Sequence, residues 1–258
     1  MFSILRTASS GLTAQQLALD VIGNNIANQN TPGFKRSRAD TQDVLYAPWG
    51  YAGTQPYPAE AQPYGAVGNG TTSTVTRIML PGPALQTGRS LDVTIQGEGF
   101  FEVTLPNGSR AYTRDGTFML DAGGRLVTAT GLAVGDIVVP PDATGVRIAA
   151  DGTVRGRRSN EVAETVFGQL PLVAFANPRG LLAIGENLFI PSENSGMVQP
   201  LDLVLAGGHL LPGSLEGSNV ELSEEFTRML QAQRAYQANL KVVQTWDEMI
   251  STANALRR

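Results

Sequence analysis

A chain of 258 residues can bury a sizeable core in one or two domains. Its charged share of 16% lies well below the usual ~25%, and its net charge of −4 leaves no basic excess for a phosphate backbone, which excludes nucleic acid as a partner. Cysteine is absent and histidine occurs once, as His209, so disulfides, thiol catalysis and Cys-ligated metals are removed and a Ser-His-Asp site would rest on that one residue.

Residues 2 to about 29 read as a helix without proline, weakened only at Gly11 and Gly23. Leu5, Ala8, Leu12, Leu19, Ile22 and Ile26 fall on a heptad a/d lattice. Such a stripe is a narrow seam, and a narrow seam needs another helix rather than a broad core. Arg6, Asp20, Asn24 and Asn25 interrupt the start of the chain, so it does not read as a cleaved signal peptide, and no run of 18 apolar residues exists. The helix should stop where Asn28, Asn30, Thr31, Pro32 and Gly33 make a turn. Asn24, Asn25 and Asn28 have two compatible readings, local capping near the helix end and hydrogen bonding between packed helices. Phe34 to Tyr46 read as an extended arm. Residues 47–75 are crowded with Pro, Gly and the aromatics Trp49, Tyr51, Tyr57 and Tyr64. This composition argues for a long irregular loop that orders against a neighbour, its rings serving as candidate anchors between subunits.

From residue 76 to about 212, short β-like runs alternate with turn signals. Leu91 to Ile95 reads as an alternating strand, followed by Gly97, Gly99, Phe100 and Phe101. Pro106-Asn107-Gly108, Arg114-Asp115-Gly116 and Ala122-Gly123-Gly124 read as hairpins, with further turns at Asp151-Gly152 and Asn177-Pro178. The expected domain is antiparallel and barrel- or sandwich-like. Gly97 and Gly99 lack the remaining residues of a phosphate loop, and Asp115, Asp121, Asp136 and Asp151 sit at turns, so no catalytic, cofactor or metal residues are assigned. After Gly217 a last helix begins, with Ser218 or Asn219 as candidate caps and acid at Glu224 and Glu225 favoured by the helix dipole. Leu222, Phe226, Met229, Tyr236, Leu240, Val243 and Ile250 form its seam, with Gln233 on the same lattice. The fold class is therefore α+β: long N- and C-terminal helices pairing as a coiled coil around a central all-β domain. The boundaries are 1–33, 34–75, 76–215 and 216–258.

Several segments together resemble bacterial flagellar rod and hook proteins. At the N-terminal side they are Ser10-Gly11-Leu12-Thr13-Ala14-Gln15-Gln16, Asn24-Asn25-Ile26-Ala27-Asn28 and Thr31-Pro32-Gly33-Phe34-Lys35-Arg36. In the middle they are Gly97-Glu98-Gly99-Phe100-Phe101, Tyr112-Thr113-Arg114-Asp115-Gly116 and Gly185-Glu186-Asn187-Leu188. Glu216-Gly217-Ser218-Asn219-Val220 and Gln231 to Asn239 complete the set. The likeness is greatest to the distal-rod branch, with the proximal rod and hook as alternatives. It implies a non-enzymatic subunit without cofactor, exported with its N-terminus intact through the flagellar export apparatus and placed in the basal body. There it would assemble helically with its own copies and with other rod and hook subunits, with envelope bushing rings as a further candidate partner. The terminal helices would form the inner layer of a hollow tube that carries motor torque. Two other classes compete. A carbohydrate-binding β module with helical stalks would need exposed rings on a rigid β face, and a hydrolase would need a nucleophile motif that the chain lacks.

Overall fold

The computed structural model describes residues 2–44, 70–159, 163–201 and 209–255. Trp49, Tyr51, Tyr57 and Tyr64 lie outside the described residues. The chain divides into two compact units, one of residues 1–26, 37–76 and 221–258, the other of residues 27–36 and 77–220.

The first unit holds helix α1 (Phe2–Ala27), strands β1 (Ser37–Asp43) and β2 (Thr71–Arg77), and helix α2 (Leu222–Ala255). Both helices run through stretches free of proline, and Pro32 lies beyond the end of α1. The extended arm is the strand β1, paired with β2. Val44 N–H donates to the Gly70 carbonyl at the open end of this ribbon. Helix α2 starts later than Ser218 or Asn219 would allow as caps. Ser218 Oγ accepts from the Val220 N–H, and the Asn219 amide is spent on the backbone of other segments. Acid in the first turn, at Glu224 and Glu225, remains as expected.

The second unit is mostly β, and every strand pair recorded within it is antiparallel. Its strands in chain order are β3 (Ala84–Gln86), β4 (Val93–Gln96), β5 (Phe100–Thr104), β6 (Arg110–Thr113), β7 (Phe118–Leu120), β8 (Arg125–Thr128), β9 (Ala133–Val138), β10 (Ala143–Ile148), β11 (Thr153–Arg158), β12 (Glu164–Gln169), β13 (Leu172–Phe175), β14 (Leu182–Gly185), β15 (Leu188–Ile190), β16 (Val198–Pro200), β17 (His209–Pro212) and β18 (Ser214–Glu216). The main sheet runs β14-β15-β6-β5-β9-β8-β7, with β13 against β5 and β16 against β13. A separate sheet is β10-β11-β12, and the pairs β17-β4 and β18-β3 complete the unit.

The inner strands β5 and β6 are buried on both faces, which explains why they do not read as apolar-polar alternation, whereas β14 at the edge is exposed. Phe101 and Val103 of β5 enter a large core with Phe118, Leu126 and Ile148. Phe100 of β5, Tyr112 of β6 and Phe189 of β15 pack in a second cluster with Val173, Phe175 and Leu181. Edge-on ring contacts tie each side, Phe101 to Phe118 at 5.1 Å and Tyr112 to Phe175 at 4.9 Å between centroids.

The turns at Asn107-Gly108, Gly123-Gly124 and Asp151-Gly152 close the hairpins β5-β6, β7-β8 and β10-β11. Arg114-Asp115-Gly116 does not close one, because β6 pairs with β5 and β15 while β7 pairs with β8. It is a crossing instead. Gly116 O accepts from the Val93 N–H, and a Cβ on Gly116 would lie 1.7 Å from the Val93 carbonyl oxygen. The expected strand at 91–95 starts at Val93, and its Thr94 is as buried as Val93 and Ile95 because β17 pairs beside it.

Candidate functional site

In the first unit, α1 and α2 lie side by side and antiparallel. Gly11 meets Asn239, where a Cβ on the glycine would come 2.9 Å from Asn239 Nδ2. Asn25 Nδ2 donates to Glu225 Oε2 at 3.0 Å. Fourteen residues separate these contacts on either helix, so Ala18 and Ala232 fall halfway between them. Ala18 and Ala232 line the space between the two contacts. It is a groove of ≈460 Å³ floored by Ala14, Ala18, Ala39, Ala232 and Ala235.

Asn25 is wholly buried. Its Nδ2 also donates to the Ser37 carbonyl at 2.8 Å, and its Oδ1 accepts from the Ser37 N–H at 2.9 Å. One amide thus satisfies both backbone groups at the start of β1 and one oxygen of a buried carboxylate on α2. A polar group buried this way fixes register, because sliding by a turn would strand it without partners. Of the two readings of the asparagines, Asn25 takes the inter-helix one. Asn28 takes the local one, its Oδ1 accepting from Thr31 Oγ1 at 3.2 Å, and Asn24 is exposed.

The other expected seam residues divide. On α1, Ile22 is buried and Leu5, Leu12, Leu19 and Ile26 are half-buried. On α2, Met229, Tyr236 and Val243 are half-buried, whereas Phe226, Gln233, Leu240 and Ile250 are exposed, as is Leu222. The face of α2 in use within the chain is Glu225, Ala232 and Asn239, one position short of the expected Phe226, Gln233 and Leu240. Phe34 is buried in the second unit. Replacing Asn25 with leucine should strand both Ser37 backbone groups and one Glu225 oxygen and cost about 1–3 kcal/mol. Helical circular dichroism followed through urea unfolding measures this, and an unshifted transition would show that the two helices do not rest on those bonds.

In the second unit, five of the singled-out segments converge on one buried cluster. Lys35 Nζ is ion-paired with Glu216 Oε1 and donates to the Leu80 carbonyl at 2.9 Å. Arg114 places NH1 3.4 Å from Glu216 Oε2, and its NH2 donates to the Gly97 carbonyl at 2.9 Å. The Arg114 guanidinium stands over the Phe100 ring at 5.2 Å. Gly82 N–H donates to Glu216 Oε1 and Gly33 N–H to the Glu216 carbonyl, at 3.0 and 2.7 Å. Arg36 N–H donates to Asn219 Oδ1 at 2.7 Å, and Asn219 Nδ2 bonds the Ile78 and Leu80 carbonyls. The Gly185-Glu186-Asn187-Leu188 turn joins from the other side. Asn187 Nδ2 donates to the Pro32 carbonyl at 2.9 Å, and Thr113 Oγ1 donates to the Asn187 carbonyl at 3.0 Å. Glu186 and Asn187 both have positive φ, 52° and 57°, as a two-residue hairpin turn requires.

Lys35, Arg114 and Glu216 are all almost fully buried. Two cations face one carboxylate there. Burial pushes both the Lys35 ammonium and the Arg114 guanidinium below their ordinary pKa values, and the Glu216 carboxylate opposes the shift in each. None of the three was assigned as a site residue from sequence. Only Glu216 carried a signal, a lone charge between Leu215 and Gly217, because Lys35 adjoins Arg36 and Arg114 adjoins Asp115. Among the described residues no group of His, Asp and Glu is placed to hold a metal ion.

Comparison with known proteins matches this layout piece by piece. Residues 5–35 match the flagella basal body rod protein family, 94–156 the flagellar hook protein FlgE/F/G D1 domain, and 211–256 the flagellar basal body rod FlgEFG protein C-terminal family. The chain is 41% identical to the flagellar basal-body rod protein FlgG of Borreliella burgdorferi, covering 100% of both chains. It is likewise 41% identical to the FlgG of Caulobacter vibrioides, covering 98% of both. The flagellar hook protein FlgE of Treponema pallidum is also 41% identical, but over 43% of this chain and 24% of its own length. With its terminal helices, its β unit and its full length all matched in order, the chain belongs to the FlgG family of flagellar basal-body rod proteins.

Proposed function

We propose that this rod-family subunit builds the distal rod, a hollow helical tube of its own copies that carries motor torque across the cell envelope to the hook. As a member of a structural family it is not an enzyme. One observation carries the assembly reading. Helix α2 uses one face within the chain, and about a third of a turn away it presents a second, apolar lane of Leu222, Phe226, Leu230 and Leu240. Phe226 is 47% and Leu230 53% exposed. A lane separate from the packed face suits a head-to-tail contact with a neighbouring copy, and such contacts generate open filaments when they do not close into a ring.

In this reading α1 and α2 of successive copies form a coiled-coil inner layer. Leu5, Leu12, Leu19, Ile22, Ile26, Met229, Tyr236, Val243 and Ile250 contribute to it together with the lane. Trp49, Tyr51, Tyr57 and Tyr64 act as anchors to neighbouring subunits. Export proceeds without a cleaved signal, and other rod and hook subunits cap the two ends. The distal rod is favoured over the hook because the likeness to FlgG runs the full chain, whereas that to the hook protein stops at under half of it.

Electron microscopy of concentrated protein tests the assembly. Straight tubes are expected from the native chain, and none from a Phe226→Asp/Leu230→Asp variant whose circular dichroism is unchanged. Both residues are exposed, so their replacement should leave the fold within about 0.5 kcal/mol. Tubes from the variant would remove the lane from the interface. Absence of tubes from both proteins would count against self-assembly itself.

A further inference from the structure

The division into two units means that the chain passes between them four times, at 26/27, 36/37, 76/77 and 220/221. Three of these passages begin or end within a few residues of the buried cluster. Residues 33–36, 78–82 and 216–219 are stitched together by Lys35, Glu216, Asn219 and the backbone bonds between Arg36 and Ile78 and between Gly33 and Glu216. The fourth passage enters through the turn whose Pro32 carbonyl is held by Asn187.

The direction of the two outer segments matters as much as their contacts. Gly33 N–H reaches the Glu216 carbonyl and Arg36 N–H reaches Asn219 Oδ1, a constant offset of 183 residues. Segments 33–36 and 216–219 therefore run parallel. Tension drawing residue 27 one way and residue 220 the other pulls the two segments from opposite ends. All bonds between them are then loaded together in shear, rather than opened one after another as in a zipper. Arg114 links Glu216 to β6 in the middle of the main sheet, so the shear load is delivered to the largest body of the unit.

We propose that the Lys35–Glu216–Arg114 cluster is a shear clamp, the point at which force arriving through the chain ends enters the β unit. This rests on the torque-carrying reading above, but its test does not require a tube. The full chain has no cysteine, so one added at each terminus gives unique handles for single-molecule pulling. Lys35→Met is the decisive variant. It removes the ion pair between residues 33–36 and Glu216 but keeps the Gly33 and Arg36 bonds to 216–219, and it leaves Arg114 and Glu216 as a balanced pair, so the unit should still fold. Val134→Ala, in the buried core away from the cluster, is the control.

The native chain should hold the β unit to a single high-force step. Lys35→Met should lower the force of that step and release residues 28–36 earlier, with its thermal midpoint close to native. Val134→Ala should lower the thermal midpoint and keep the high-force step. If Lys35→Met ruptures at the native force, or Val134→Ala weakens the step as much, the clamp is overturned. The rod reading fails separately, if no tubes form.

Discussion

Replacing Glu216 with leucine is expected to cost about 3–5 kcal/mol, because it strips the shared carboxylate from two buried cations. Lys35 and Arg114 would face one another at close range with no water to screen them, and the Gly82 N–H would lose its acceptor. Leucine matches the size of the lost side chain, so the cost is electrostatic rather than a cavity. Against a usual domain stability of about 5–15 kcal/mol, this removes roughly a fifth at the least and the whole at the most. The asymmetry with Lys35→Met is informative. Removing one cation leaves a neutral pair, whereas removing the anion leaves two like charges. Urea unfolding should show a midpoint shift with unchanged slope. A loss below about 1 kcal/mol would mean that water reaches the cluster and that these charges behave as a surface pair.

Gly33→Ala should be nearly as damaging. Gly33 has φ +69°, and a Cβ there would come 2.7 Å from Asp115 N and 2.9 Å from the Arg114 carbonyl carbon. Both neighbours are backbone, so neither can rotate aside. Left-handed strain of about 1–3 kcal/mol adds to that clash. The displaced backbone is also the one that donates to Glu216. Thermal unfolding should fall by an amount comparable to the Glu216 variant. Gly23→Ala in α1 is the counterpart. Nothing lies within 4 Å of its added Cβ, so it should gain up to about 1 kcal/mol from helix propensity. Equal effects at both glycines would show that the turn at residue 33 tolerates a side chain.

The outline of the fold was legible in the residues. Long proline-free stretches marked α1 and α2, and Asn-Gly, Gly-Gly and Asp-Gly marked three hairpins, because these signals are local. The face of α2 that packs on α1 was not legible. An apolar lattice selects Phe226 and Leu240, whereas the helices meet where Gly11 faces Asn239 and Asn25 bonds Glu225, positions chosen for size and hydrogen bonding. Hydrophobicity cannot report a contact made by small and polar groups. The ion cluster was hidden for a related reason. Lys, Arg and Glu are almost never fully buried, so Lys35, Arg114 and Glu216 read as surface until strands far apart in sequence enclose them. Arg114-Asp115-Gly116 looked like a hairpin because Asp-Gly is a turn signal anywhere, and only strand pairing shows that it crosses between partners.

The antiparallel course of α1 and α2 has an electrical consequence. Each helix carries a macrodipole equivalent to roughly half an elementary charge at either end, positive at its N-terminus. Side by side and reversed, the two moments largely cancel. In the tube proposed above, subunits would then stack in great number without an axial field building up along the bore, and the hundredth copy would join against the same electrostatic background as the first.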